Sequence, residues 1–318
     1  MVNQVRISSI NILIGLFLLL ASTTGATANE GVLHKNAVGA DGFSSTDSEG
    51  FNTKRIAMEY FPHYRNADSY SGVRYTKHFY KQNNWSRNGQ QLALTHRNID
   101  HTTANGWSLN AGLFHQDRHK LLTLDGSYRN ALATQTGVEL MVTREAIETA
   151  AALDKGVYST LAGIALDQGV GAHLTLVGLA ARQDFSDGNA RNHARLKFIY
   201  QPDLDSGLTL QARYRHYNST SSNVGGAYFN PERYNETMLA VGWRKRIEGW
   251  NFSLTSGVGE QKVAADPYST TYLVEVGLQS PPGYPYSIRI RAAVNQSAAF
   301  LGPNYRYKYL QGEWIIPF

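Results

Sequence analysis

The chain has 318 residues, no cysteine and a formal net charge of +5. Without cysteine a disulfide framework and thiolate metal sites are excluded, and so small an excess of positive charge does not indicate nucleic-acid binding. Glycine and tyrosine are abundant although the mean hydropathy is negative, at −0.35. This composition suits soluble β-proteins and also membrane β-barrels, in which only alternate residues of each strand are apolar.

The N-terminal segment, residues 1–28, has the pattern of a secretory signal peptide. Arg6 precedes an apolar run from Ile10 to Ala21, and the small residues of Ala26-Thr27-Ala28 suit a cleavage site. The run is shorter than the roughly 20 apolar residues that a membrane-spanning helix requires, and no later stretch reaches that length. We therefore expect an exported protein without a transmembrane helix. Residues 29–50 are polar and weakly patterned, and predict a flexible periplasmic lead-in.

From residue 51 to residue 318, segments of about ten residues alternate apolar and polar positions, with turn residues between them. Fifteen such segments can be counted. Because single-chain bacterial barrels have an even number of strands, we predict 16 strands, with 14 as the alternative. The predicted fold is all-β, a transmembrane antiparallel up-and-down β-barrel over residues 51–318.

The last segment, Tyr305 to Phe318, carries the clearest signal. One register holds Leu310, Trp314, Ile316 and Phe318, while the other is mostly polar. A terminal strand that ends on an aromatic residue and has an apolar stripe is typical of the closing strand of an outer-membrane barrel. The alternative is the last strand of a soluble sandwich. Tyrosines and tryptophans at the ends of many stripes favour the barrel, because such rings prefer the membrane interface.

The connections predict an orientation. If the closing strand runs toward the periplasm, the turns at 202–207, 247–250 and 281–285 are periplasmic, and the longer connections at 145–156, 183–190 and 218–231 lie at the cell surface. Within the first of these, EAIETAAALDK suits a short helix. An external turn is favoured there over a segment folded into the pore as a constriction.

If the apolar stripes face lipid, charged residues at alternate positions face the lumen, because a charge on the lipid face near the midplane costs about 2–4 kcal/mol. The basic ones are Arg74, Arg97, Arg129, Arg195, Lys197, Arg213, Arg215, Arg244, Arg289 and Arg291. The acidic ones are Glu59, Asp125, Glu139, Glu275 and Glu313. The lumen is therefore expected to be positive.

Two basic clusters have different interpretations. Arg289 and Arg291 are flanked by strands that carry Glu275 and Glu313, which favours structural ion pairs across the wall. Arg195, Lys197, Arg213 and Arg215 have no acid that the pattern places nearby, so they are the candidate solute-contacting residues, because cationic side chains bias a pore toward anions. Tyr307 and Tyr309, with Phe61 and Phe114, are candidate stacking surfaces for sugar rings.

Catalytic and metal sites have weaker support. An outer-membrane hydrolase needs a serine beside a histidine base, and His173 with Thr175 or His216 with Ser219 are conceivable pairs without a recognisable motif. His115 and His119 flank Asp117, a spacing that polar loops produce by chance. We therefore predict no enzyme activity, no metal and no cofactor.

Two motifs go beyond a generic barrel pattern: Asp184-Phe185-Ser186-Asp187-Gly188-Asn189-Ala190-Arg191 and Ala227-Tyr228-Phe229-Asn230-Pro231-Glu232-Arg233-Tyr234. Both resemble stretches in the C-terminal barrel of the poly-N-acetylglucosamine export porins, as does the opening SEGFNTKRIAMEYFP, and the second is similar to an element of the cellulose-export barrel. The resemblance covers roughly residues 47–318. It implies a 16-stranded outer-membrane barrel through which a polysaccharide leaves the cell.

One domain of those porins is not expected in this sequence. Those porins carry a tetratricopeptide domain ahead of the barrel, and the residues between Ala28 and Gly50 are too few for one repeat. A separate periplasmic tetratricopeptide protein is one expectation, and a stand-alone barrel is the other. The sequence thus favours an outer-membrane conduit of a Gram-negative cell, contacting lipid and a neutral or anionic exopolysaccharide. A general or receptor-type barrel and, more remotely, a lipid hydrolase are the alternatives.

Overall fold

Sixteen antiparallel strands and one short helix make up the described part of the chain. The computed structural model describes residues 36–100, 102–221, 223–281, 284–299 and 302–318. The elements are β1 (Ala37–Asp47), β2 (Phe51–Asn66), β3 (Ser69–Gln82), β4 (Trp85–Ile99), β5 (Gly106–Gln116), β6 (His119–Ala133), β7 (Thr136–Ala146), α1 (Ala150–Lys155), β8 (Tyr158–Val170), β9 (Leu174–Phe185), β10 (Ala190–Tyr200), β11 (Leu208–Ser219), β12 (Arg233–Ile247), β13 (Trp250–Val263), β14 (Ser269–Gln279), β15 (Ser287–Ala299) and β16 (Gly302–Pro317). Within these ranges no helix has the length and apolar character needed to cross a membrane.

The strands form one closed barrel. Each strand pairs with its neighbours in the sequence, and β1 pairs with β16 from Ala37 opposite Pro317 to Asp47 opposite Tyr307. Closure leaves no strand edge with unpaired backbone groups, which is what a sheet in lipid requires. The predicted 16-stranded up-and-down barrel is confirmed.

The strand that sequence analysis missed is β1. It occupies residues 37–47 of the segment predicted to be a flexible lead-in, so that prediction is wrong for this part, and the barrel begins before residue 51. The outward positions of β1 are Val38, Ala40, Gly42 and Ser44, which are too small and too polar to form an apolar stripe. Pairing with β2 and β16 on both sides nevertheless holds the strand in place. The predicted signal peptide, 1–28, and residues 29–35 lie outside the described residues.

The outer surface of the barrel is a belt of exposed apolar side chains. Met58 is 72% exposed, Leu94 67% and Leu239 66%, and similar residues occupy the outward positions of nearly every strand. Such a continuous apolar surface on a closed barrel suits contact with lipid. The inward positions carry the buried and polar side chains.

The two ends of the barrel differ. The C-terminus shares one end, here called the turn end, with two-residue turns such as 67–68 and 248–249 and with the connections 201–207 and 280–286. The opposite end, here called the loop end, carries the two longest connections, residues 147–157 and 220–232. The predicted assignment of connections to the two ends is therefore confirmed, but the connection between β9 and β10 has only residues 186–189 and is not one of the longer ones.

Candidate functional site in the barrel lumen and its mouth

The four basic residues singled out in the sequence lie side by side on the inner wall. They occupy inward positions of β10 and β11, where Arg195 pairs across the strands with Arg215 and Lys197 pairs with Arg213. We call these four residues the basic arc. The period of two along each strand is sufficient to place them on one face, and the antiparallel register then brings them together.

One member of the basic arc has an acidic partner that the sequence analysis did not include. Arg215 contacts Glu236 on β12 at 2.6 Å, and Tyr234 donates a hydrogen bond to the same carboxylate. The expectation that the cluster lacks nearby acids is therefore wrong for Arg215. Glu236 was missed because the polar start of β12, which begins at Arg233, shows no apolar alternation before Met238.

The other three members have no carboxylate within 4.0 Å among the residues that the structure describes. Arg213 donates two hydrogen bonds to the Gln211 side chain, at 2.6 and 3.0 Å. Arg195 is 8% exposed, and its Nε and one Nη atom are buried without a hydrogen-bond partner in the described structure. A positive charge without a counter-charge therefore remains on this wall.

Among the other six basic residues that the sequence placed in the lumen, Arg74, Arg97, Arg129 and Arg289 have carboxylate partners. Arg74 contacts Asp41 at 2.7 Å and Glu59 at 2.9 Å, and Arg129 contacts Asp167 at 2.7 Å. Asp41 and Asp167 were not counted in the sequence, so the positive excess is smaller than predicted. Arg244 and Arg291 have no carboxylate within 4.0 Å in the described ranges, so the excess is not confined to the basic arc.

The predicted ion-pair ladder on β14 to β16 forms in part. Arg289 contacts Glu313 at 3.1 Å. Within the described ranges Arg291 has no carboxylate partner at this distance, although it lies on the same face of β15. The ladder is thus one ion pair on this wall.

The candidate stacking residues lie on a different wall from the basic arc. Tyr307 and Tyr309 face inward from β16, which is separated from β10 and β11 by four or more strands. Tyr309 stacks on Phe43 of β1 with ring centroids 6.0 Å apart, and the guanidinium of Arg55 lies 4.3 Å from the centre of the Phe43 ring. The structure therefore offers a basic wall and an aromatic wall instead of a single site. Phe43 escaped sequence analysis because it belongs to the missed β1.

The mouth at the loop end is covered by the connection between β7 and β8, which folds inward. Leu153 of α1 is 3% exposed and packs on a cluster of inward-facing residues from β2, β3, β5 and β6. That cluster consists of Phe51, Tyr80, Phe114 and Leu121. The favoured expectation of an external turn is therefore wrong, because one apolar side of the helix is buried against the wall.

Both ends of α1 are capped, and its side chains contact β4. The Thr149 hydroxyl accepts a hydrogen bond from the Ala152 amide at 2.8 Å, which is the contact of a helix N-cap. Gly156 ends the helix with φ 68°, a left-handed conformation that favours glycine. Asp154 then accepts a hydrogen bond from the Trp85 indole at 3.0 Å and contacts Arg87 at 2.9 Å. These contacts hold the helix over β4.

The second part of the cover is built by the two motifs that suggested a family resemblance. The Tyr228 ring stacks on Phe185 with centroids 4.6 Å apart and planes 7° apart. Asn189 donates hydrogen bonds to Tyr228 at 3.1 Å and to Asn230 at 2.9 Å, and Arg191 donates to the Phe229 carbonyl at 2.7 Å. Burial raises the pKa of the Tyr228 phenol above its usual value. The motifs thus fold the connection 220–232 onto the end of β9 and β10.

The two parts of this mouth cover are joined. Thr149, fully buried, donates its hydroxyl to the Ala227 carbonyl at 2.7 Å, and Ile147 and Val157 pack in one cluster with Phe185 and Tyr228. One hydroxyl therefore caps α1 and ties it to the second connection.

The histidines considered for chemistry are engaged in other contacts. His173 contacts the Gln201 carbonyl at 2.7 Å, and His216 contacts Asn235 at 2.8 Å, while Ser219 faces inward on the opposite side of its strand. His115 points outward and His119 inward, so they do not converge. His119 instead lines a cavity of about 370 Å³ at the rim with Arg87, Asp117, Arg118 and Asp154. In the part of the chain that the structure describes, no three histidine or carboxylate side chains converge as metal ligands.

No protein-family model and no curated protein sequence matches the chain. A solved structure described as a bacterial polysaccharide outer membrane secretin is similar, with a TM-score of 0.66 and 12% identity over 90% of this chain and 99% of that one. CdiB from Acinetobacter baumannii (TM-score 0.47, 10% identity, 89% of this chain and 60% of that one) and OpdQ from Pseudomonas aeruginosa (0.45, 11%, 89% and 99%) are more distant. At such identities the likeness concerns the fold alone. The resemblance to export porins inferred from the sequence is thereby confirmed at the level of the barrel fold.

Proposed function

We propose that this barrel lies in the outer membrane of a Gram-negative bacterium and serves as a passive conduit for a secreted polysaccharide. The observation that carries the proposal is the basic arc, three of whose four cations lack a carboxylate partner among the described residues. Unpaired lumen cations attract anions and offer hydrogen-bond donors to hydroxyl groups. A neutral or anionic chain suits this wall better than a cationic one.

The mechanism requires no bond-making step. The apolar belt keeps the barrel in lipid, and the inward polar side chains replace part of the hydration of a passing chain. Lys197 and Arg213 exchange weak contacts with successive sugar units, while the buried Arg195 adds its charge to this wall. On the other wall, Tyr307 and Tyr309 present aromatic rings that suit the apolar faces of sugar rings. Each contact must be weak enough to release the chain.

The mouth cover gives the conduit a closed state. Opening the loop end requires α1 and the connection 220–232 to leave their contacts with the wall. Following the family resemblance, a separate periplasmic tetratricopeptide protein would deliver the polymer to the turn end.

Single-channel recording of the refolded barrel in planar bilayers tests the proposal. In a salt gradient we expect a reversal potential that reports anion preference, and a barrel with Arg195→Ser, Lys197→Ser and Arg213→Ser should lose most of that preference. The matched control, Lys120→Ser, Arg182→Ser and Lys262→Ser, removes the same formal charge from outward positions and should leave selectivity unchanged. Equal selectivity in both triple variants would refute the role of the basic arc.

Added oligosaccharides identify the cargo class in the same recordings. Oligomers of a uronic acid or a neutral glucan should block the open channel more strongly than glucosamine oligomers, because the wall repels cations. Indifference to every saccharide would refute the conduit.

A surface receptor is the second candidate, and the mouth cover is the observation that favours it. A receptor needs an ordered external surface and no passage, so its barrel would stay non-conducting after the cover is loosened. The conduit and the receptor are therefore separated by the conductance of a cover variant.

A further inference from the structure

A group of unpaired cations lies on the outer wall of the barrel, outside the lumen. These residues face outward from β2, β3 and β16, in the half of each strand nearer the loop end, and all are exposed. They are Lys54, Lys77, Lys81, Arg306 and Lys308. We call them the outer basic patch.

The register brings Lys54 and Lys77 close together. Lys54 pairs with Phe79 and Lys77 pairs with Ile56, so the two lysines are diagonal neighbours on β2 and β3, about 7–8 Å apart at Cα or less. Long lysine side chains span such a separation, so one anionic group can contact both of them. Lys308 lies farther away, because it pairs with Thr46 of β1, which in turn pairs with Asn52 of β2. It is therefore two strands away from Lys54 and offset from it by two residues.

No acid balances this patch. The outward positions of β16, β1, β2 and β3 hold no aspartate or glutamate over the described residues, and none of the five cations lies within 4.0 Å of a described carboxylate. Two outward cations in other sectors are engaged: Arg182 contacts Asp184 at 2.9 Å, and Arg144 donates to Thr160 and stacks on Tyr158. The five cations of the patch lie in the sector where the barrel closes.

The patch adjoins a shallow apolar trough. The outward side chains of β1 are small, whereas Trp314 and Leu310 rise on one side, and Ile56 and Met58 on the other, each more than half exposed. At the floor Gly42 lies opposite Gly312, and a Cβ atom built on either would meet no atom within 4 Å. A ligand whose phosphate contacts the outer basic patch and whose acyl chain lies along the trough would match both features.

We propose that the outer basic patch is a binding site for a bisphosphorylated glycolipid of the outer leaflet, with one phosphate between Lys54 and Lys77 and the second near Lys308. We favour an anionic lipid over a soluble anion for three reasons. The patch is positively charged, it lies toward the loop end of an apolar belt, and it adjoins an apolar trough. The site rests on the proposed membrane location but not on any cargo of the lumen.

Binding of lipid A to the delipidated barrel in detergent, followed by native mass spectrometry, tests the site. We expect the wild type to retain one bisphosphorylated lipid A per barrel at low micromolar lipid. A variant with Lys54→Gln, Lys77→Gln and Lys308→Gln should bind at least tenfold more weakly, since each lysine near a membrane surface contributes roughly fivefold. The control Lys120→Gln, Lys245→Gln and Lys262→Gln, also at outward positions, should bind as the wild type does.

Two further probes keep the proposal falsifiable. Dephosphorylated lipid A should bind the wild type no better than it binds the patch variant. The variant Gly42→Leu fills the trough without changing the charge, and it should bind lipid A severalfold more weakly than the wild type does. Equal affinity of the patch and control variants, or equal retention of phosphorylated and dephosphorylated lipid, would overturn the site. If the wild type retained phosphatidylglycerol as well as it retains lipid A, the assignment of a glycolipid would be overturned.

Folding and function are checked on the same samples. The patch variant should keep the heat-modifiable gel migration and the conductance of the wild type. A barrel that retains lipid A through the patch but passes no saccharide would refute the conduit and leave this site standing.

Discussion

Loosening the mouth cover should open the barrel, and Leu153→Ala is the variant that isolates the principal contact. Leu153 is 3% exposed and packs on four inward-facing side chains of the wall. Truncation of a buried leucine costs about 2–5 kcal/mol. Because α1 lies at a water-filled mouth, we take the lower end, about 2 kcal/mol, which corresponds to roughly a thirtyfold shift toward the open cover.

The polar contacts of the same helix are expected to matter less. Asp154 contacts Arg87 at 2.9 Å, but the two side chains are 41% and 37% exposed. An exposed ion pair contributes about 0.2–1 kcal/mol. Asp154→Asn should therefore raise the open probability by no more than about fivefold.

Single-channel recording measures the open probability directly. The control is Leu113→Ala, the same chemical change at an outward position that is 65% exposed. We expect Leu153→Ala to raise the open probability strongly and Leu113→Ala to leave it unchanged. If the two variants behaved alike, or if Asp154→Asn exceeded Leu153→Ala, the account of the cover as an apolar contact would fail.

Three other outcomes are expected. Gly156→Ala should also open the mouth, because φ 68° strains an alanine and its Cβ would collide with the His119 ring; conductance is again the measurement. Glu236→Gln should destabilise the barrel by about 3 kcal/mol in urea unfolding, because it leaves the Arg215 charge without its partner, and it should increase anion selectivity; an unchanged midpoint would contradict the ion pair. The raised pKa of Tyr228 means that its neutral form stabilises the cover below the usual phenol value of about 10, and that this stabilisation is lost as the pH rises through the raised value. Conductance should therefore increase at alkaline pH in the wild type and less so in Tyr228→Phe, and identical pH profiles would rule out this residue.

Most strands and the facing of their side chains could be predicted from the sequence because the apolar alternation that marks them is a local property. A period of two assigns each residue of a strand to one face, so Arg195, Lys197, Tyr307 and Tyr309 were placed inward correctly without any knowledge of their neighbours. The same rule failed for β1, whose outward residues are small. Its place in the sheet depends on pairing with β2 and with β16, and the latter is about 270 residues away in the chain.

The contacts of the site were decided by tertiary structure. The strand register, set by the closed barrel, pairs Arg215 with Glu236 and leaves Arg195 without an acid partner among the described residues. The sequence suggested both a helix at residues 145–155 and two motifs, but it did not place them over one mouth. That placement arises because Leu153 and Tyr228 pack on apolar residues of strands that are distant in sequence. The hydrophobic effect has no preferred direction, so a local sequence pattern does not show which distant residues a buried side chain will contact.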